Sequence, residues 1–203
     1  LIAATIGDLS QRFTARRARE PQETYEVPFA SFVMLRAAGG APEAVSFGDC
    51  TLILEAPDGG IAVIGPPEKA RGAERARARA AGAAHAKPRE AVLPELRRYR
   101  NAVNSRPGYG LLGPDARAVP LLKTAALPFA PPFTALLMSD GFFALASDYY
   151  RYAPKGLIQT ARTRGLDALY RELRDIEAGD PMGALFPRFK TSDDATAVLA
   201  EVG

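Results

Sequence analysis

Apolar positions along the chain change period several times, and each change predicts a change of element. Ile2, Ile6, Leu9 and Phe13 recur at spacings of four, three and four, which lines one face of an amphipathic helix over Leu1 to Arg19. Pro21 and Pro28 end it, and Ser31 to Leu35 then reads as a mostly buried strand closed by Gly39 and Gly40. Val45 to Ala56 alternates on a strand period, and Asp58-Gly59-Gly60 turns the chain into a short return strand, Ile61 to Ile64. Three neighbouring strands predict an antiparallel sheet. Glu68 to Ala84 is built from Ala, Arg and Glu, and Glu90 to Asn101 follows Pro88, so the middle of the chain is expected to be helical.

Strands are then expected at Tyr109 to Leu112, at Arg117 to Leu122, and at the strongly apolar run Thr134 to Met138. Two helical patterns follow, Leu157 to Thr163 and Leu166, Leu169, Leu173, Ile176, before a last strand from Ala195 to Val202. Runs of strands separated from runs of helices fit an α+β layered domain better than a βαβ parallel sheet. Length agrees, since 203 residues suit one domain with a substantial core.

Composition removes several function classes. One cysteine and one histidine support neither a disulfide framework nor a tetrahedral zinc site, so a reducing cytoplasm is the expected compartment. No window approaches the roughly 18 to 20 apolar residues of a membrane helix. A net charge of +3 is too small to imply nucleic acid. The arginines at 16, 17 and 19, at 71, 75, 77 and 79, and at 97, 98 and 100 are interleaved with Glu74, Glu90 and Glu95, and read as solvated helix faces from which phosphoprotein recognition could draw. His85 is expected to be exposed, and Cys50 to be a small packed residue.

Candidate chemistry lies in aspartates near strand positions: Gly48-Asp49-Cys50, Ser139-Asp140-Gly141 and Ser192-Asp193-Asp194-Ala195-Thr196. Asp140 ends one apolar strand and Asp193 begins another, so antiparallel pairing would bring both carboxylates to one sheet end. Asp49 is placed within its strand, on the face of Val45, Phe47 and Thr51, where an apolar layer would demand a cation or hydrogen bonds. Oxygen ligands without a histidine cluster suit magnesium or manganese. A pair of such ions activates water toward a phosphoryl group, with no protein nucleophile required. Singly, each aspartate has an ordinary structural reading: Asp140 as the cap of a following helix, Asp193 as a polar turn, Asp58 as a turn residue.

In their order along the chain these three segments resemble the middle and C-terminal motifs of the metal-dependent type 2C protein phosphatases, and Pro187-Arg188-Phe189-Lys190 is similar to a run in their short bacterial members. The resemblance implies a four-layer αββα sandwich of two antiparallel sheets flanked by helices. It implies that Asp140 and Asp193 bind a pair of Mn2+ or Mg2+ ions and Asp49 a weaker additional ion. Gly141 and Asp194 would stand behind these ligands, Asp194 at a position where the family often has Asn. The family's earlier segments, with an acidic residue, a phosphate-contacting Arg and a metal-bridging Asp-Gly, precede the helix that opens this sequence. The domain is therefore expected to be incomplete at its N-terminus, and this piece alone inactive. The implied activity is hydrolysis of phosphoserine and phosphothreonine on proteins by a cytoplasmic monomer without nucleic-acid or membrane partners; the alternative is a noncatalytic phosphatase-like binding module.

Overall fold

The computed structural model describes residues 1–36, 41–66, 76, 79–80, 88–105 and 109–203. Apart from positions 76, 79 and 80, the expected helix over 68–84 lies outside them, as do His85, Arg71, Arg75, Arg77 and the turn at Gly39 and Gly40.

Among the described residues, seven strands form two antiparallel sheets: β1 (Phe32–Arg36), β2 (Glu43–Phe47), β3 (Thr51–Glu55), β4 (Ile61–Ile64), β5 (Lys123–Ala126), β6 (Phe133–Met138) and β7 (Ala197–Val202). One sheet has the order β1-β2-β5, the other β4-β3-β6-β7. The helices are α1 (Ile2–Arg16), α2 (Pro88–Asn101), α3 (Asp140–Ser147), α4 (Pro154–Arg164) and α5 (Leu166–Gly179).

Strand alternation assigns each face its partner. Leu52, Leu54, Phe133 and Ala135 of the four-stranded sheet meet Ala44, Val33 and Leu35 of the three-stranded sheet in the core between the sheets. The opposite face, with Ile53, Leu136 and Met138, packs against Phe142, Leu145, Leu157, Ile158, Leu169 and Leu173 of α3, α4 and α5. Phe47 and Phe32 point the other way, toward Ile6 and Ile2 of α1 and Leu121 of a 3₁₀ turn (Ala116–Leu121). The layers are thus α1, three strands, four strands, then α3 to α5. Leu136 and Leu173 are fully buried, and truncating such a residue to Ala costs about 2–5 kcal/mol. Buried Glu55 on β3 is matched to α4, accepting from Gln159 Nε2 at 2.6 Å and Arg162 Nη1 at 3.3 Å.

Several sequence expectations need correction. The alternating run Val45 to Ala56 is two strands, and they belong to different sheets. The chain breaks at Gly48, whose φ of +73° turns it out of the first sheet, so Asp49 is an exposed turn residue and faces no apolar layer. The strand expected at Arg117 to Leu122 is instead the 3₁₀ turn Ala116–Leu121, because Asp115 accepts from the N–H of Arg117 and Pro120 cannot donate to a ladder; the strand begins at Lys123. Leu112 makes only an isolated bridge with Ala30. The turn at Asp58 is as expected, with Asp58 Oδ1 accepting from Gly60 N at 2.9 Å and Gly59 at φ +82°. No helix among the described residues is long and apolar enough to cross a membrane.

A Cβ added at Gly48 would stand 2.4 Å from Ser31 Oγ and 2.8 Å from Leu111 Cδ2, in a left-handed conformation that L-residues disfavour. Gly48→Ala is expected to lower stability by about 2–3 kcal/mol in a denaturant titration, and an unchanged midpoint would refute this account of the corner.

Candidate functional site

The β6–β7 register places Met138 opposite Ala197, so the segments leaving these strands, Ser139 to Gly141 and Asp193 to Thr196, meet at one sheet end. Ser139 clasps them. Its N–H donates to Thr196 O at 3.0 Å, and its Oγ accepts from Thr196 N at 3.0 Å and donates to Asp194 O at 3.3 Å. Gly141 closes the remaining distance: a Cβ there would lie 2.3 Å from Asp194 O and 3.3 Å from Asp193 Cβ. On the other side of β6, Thr51 of β3 also pairs with Met138, which brings Asp49 and Cys50 to the same end.

Asp140, exposed, is the first residue of α3, and its Oδ1 accepts from Gly141 N at 2.9 Å. A carboxylate there is favoured by the helix dipole. Asp193 lies in the loop four residues before β7, which starts two residues later than the expected Ala195; its Oδ1 accepts from Asp194 N at 2.9 Å and from Lys190 Nζ. Asp194 acts through its backbone, orienting Asp193 with its N–H and packing its carbonyl on Gly141. Asp49 accepts from the Ser31 hydroxyl. Burial pushes the half-buried Cys50 thiol up to about 12, and the negative charges of Asp49 and Asp140 add to the shift. Such a thiol stays protonated at neutral pH and is a poor nucleophile.

Asp49, Asp140, Gly141 and Asp193 line one cleft of about 900 Å³, which also receives Arg97 and Arg100 of α2 and Arg188 and Lys190 of the loop before β7. Among the described residues no three His, Cys, Asp or Glu side chains converge as a metal-holding group. The cleft carboxylates are nevertheless all-oxygen donors, and magnesium commonly binds through one or two carboxylates while keeping several waters. Asp140 and Asp193, clasped together, fit that donor set.

The loop that delivers Asp193 is held by residues to which sequence reasoning gave no role. Buried Asp180, just past α5, accepts from the N–H groups of Ala184 (2.7 Å), Leu185 (3.3 Å) and Phe186 (3.0 Å) and from Arg188 Nη1 (2.9 Å). Arg188 also donates to the carbonyls of Glu177, Asp180, Phe186 and Thr191. Arg174 joins buried Glu177 to the carbonyl of Asp193, at 2.5 and 2.9 Å. The one available signal was the Pro187-Arg188-Phe189-Lys190 run, whose arginine proves to be the strap of the loop. Burial alone would raise the Asp180 carboxyl, but its N–H donors and the Arg188 guanidinium outweigh it and hold the group below the ordinary carboxylate value.

Two outcomes follow from this geometry. Gly141→Ala, forcing a methyl onto a backbone carbonyl, is expected to cost about 1–3 kcal/mol and to lower the thermal midpoint by several degrees; a variant as stable as the parent would show that the two segments are not in tight contact. Because Asp180 has its pKa lowered on folding, its contribution is fully present above the unfolded value of about 3.9 and is lost as pH falls through the folded one. Asp180→Asn should therefore be less stable than the parent by about 1–3 kcal/mol at pH 7, with the gap closing below about pH 4. Urea titrations across that range measure it, and a gap independent of pH would disprove the ionic role.

No family model matches the chain, and no curated protein does. Among solved structures it is similar to PppA, described as a key regulatory component of T6SS in Pseudomonas aeruginosa, at a TM-score of 0.41 and 17% identity over 98% of this chain. The chain spans 65% of that protein's length. A likeness so distant leaves the chemistry to be argued from the chain's own residues.

Proposed function

We propose that the chain is the carboxylate-bearing part of a metal-dependent phosphohydrolase of the type 2C class, acting on phosphoserine and phosphothreonine in proteins. The observation that carries this reading is the register of β3, β6 and β7, which gathers Asp49, Asp140 and Asp193 at one sheet end on one cleft. Asp140 and Asp193 would hold Mg2+ or Mn2+, with Asp49 serving a further, weaker ion. Such an ion, when bound, polarises a phosphoryl oxygen and lowers the pKa of a coordinated water.

The chain's own groups supply position. Asp193 is aimed by the N–H of Asp194, and its loop is fixed by Arg174 and Arg188. Asp140 is fixed at the N-terminus of α3, whose dipole offsets part of the repulsion between neighbouring carboxylates. Lys190 is paired with Asp193 and offsets part of the negative charge at the same place. With Cys50 protonated, water rather than the thiol is the attacking group.

A second reading, a noncatalytic module of the same architecture, draws on two observations. Asp193 is already engaged by Lys190, and no three ligands converge among the described residues. The readings part on metal. Under the first, Mg2+ or Mn2+ at a hundredfold its dissociation constant raises the thermal midpoint by roughly 5–10 °C, and Asp140→Asn abolishes both that rise and, in the complete protein, the metal-dependent hydrolysis of an aryl phosphate. Hydrolysis retained in a folded Asp140→Asn variant overturns the phosphatase reading; a midpoint indifferent to both metals in the parent protein favours the noncatalytic module.

A further inference from the structure

The cleft is polarised. Asp49, Asp140 and Asp193 line it from the sheet end, Asp148 and Glu177 from the far ends of α3 and α5, and one face of α2 lines it with Leu93, Leu96, Arg97 and Arg100. These four positions follow the i, i+3, i+4, i+7 spacing of a single helical stripe. Arg97 and Arg100 are exposed, and among the described residues no carboxylate is paired with either. Arg188 and Lys190, by contrast, are committed to Asp180 and Asp193.

The arginine stripe is held in place. Asn101, at the end of α2, accepts from Tyr25 N at 2.9 Å and donates to Glu23 Oε2 at 2.8 Å, and the Arg97 guanidinium lies over the Tyr25 ring at 5.0 Å. Arg97 and Arg100 present their exposed charge on an anchored helix, beside a cleft whose sheet end carries carboxylates, and are placed to receive negative charge that the carboxylate end would repel. Leu93 and Leu96 on the same stripe add an apolar strip for backbone and side-chain packing.

We infer that Arg97 and Arg100 form a docking wall for acidic residues flanking a phosphorylated side chain, so that the preferred ligand is an acidic phosphopeptide. The phosphoryl group would sit at the carboxylate end and the flanking Asp or Glu residues against α2. This rests on the phosphohydrolase reading for what happens at the carboxylate end, while the wall itself is read out by binding.

The test uses fluorescence anisotropy on the full chain in Mg2+ buffer, with three labelled twelve-residue peptides: a phosphothreonine peptide with acidic flanks, the same peptide with neutral flanks, and the acidic peptide without phosphate. The acidic phosphopeptide is expected to bind about tenfold more tightly than the neutral one, the size of two exposed ion pairs, with the difference shrinking at high salt. Arg97→Glu with Arg100→Glu should erase that preference in a chain that remains folded by its far-UV circular dichroism. Equal binding of acidic and neutral phosphopeptides, no binding of either, a preference that survives the double reversal, or displacement by duplex DNA at the same concentration overturns the wall. The rise of the thermal midpoint with Mg2+ or Mn2+, followed in parallel, reports on the phosphohydrolase reading: if it is absent while the acidic preference and its loss are seen, the wall stands and that reading falls.

Discussion

The pairing of β6 with β7, extended past the sheet by Ser139, is the constraint on which the site depends. Asp140 and Asp193 are more than fifty positions apart in the chain, and only the antiparallel register brings them to one end. Two facing carboxylates repel each other, so their segments must be held by something other than those side chains. Backbone-directed hydrogen bonds from Ser139 and the missing side chain of Gly141 do this, and neither involves the carboxylates. The carboxylates thereby remain on the cleft surface, where a cation or an anion-bearing ligand can meet them.

The same logic governs the loop before β7. It has no regular secondary structure, and a segment of that kind needs partners for its polar backbone groups. Asp180 takes three of its N–H groups and Arg188 takes four carbonyls, so a single ion pair acts as the local substitute for a ladder. Arg174 then fixes the far end at Asp193. A charged pair suits this task because each partner has several donors or acceptors radiating from one point. No apolar residue could satisfy so many backbone groups at once.

Much of the architecture was legible in periodicity. Helices α1, α4 and α5 and strand β6 follow their apolar spacing, and the convergence of Asp140 with Asp193 followed from strand ends alone. The division between the sheets was hidden, because apolar residues resume at Leu52 so soon after Phe47 that the two strands read as one, and the break comes from the positive φ of Gly48. Arg117 to Leu122 misled for a related reason: β-compatible residues were redirected by an Asp115 cap and Pro120, which act on hydrogen bonds and not on hydrophobicity. The roles of Asp180, Arg174 and Ser139 could not be read from spacing, since each depends on tertiary contacts with distant or irregular backbone.

The corner at Gly48 ties mechanics to chemistry. β2 and β3 lie in different sheets and are joined by three residues, Gly48, Asp49 and Cys50, the shortest covalent link between the two sheets among the described residues. A tether of that length allows the sheets neither to slide nor to part without displacing Asp49 and the Ser31 hydroxyl that holds it. The rim of the cleft and the core between the sheets are therefore one cooperative unit: the cleft cannot loosen by itself, and any motion that widens it at this corner is paid in inter-sheet packing.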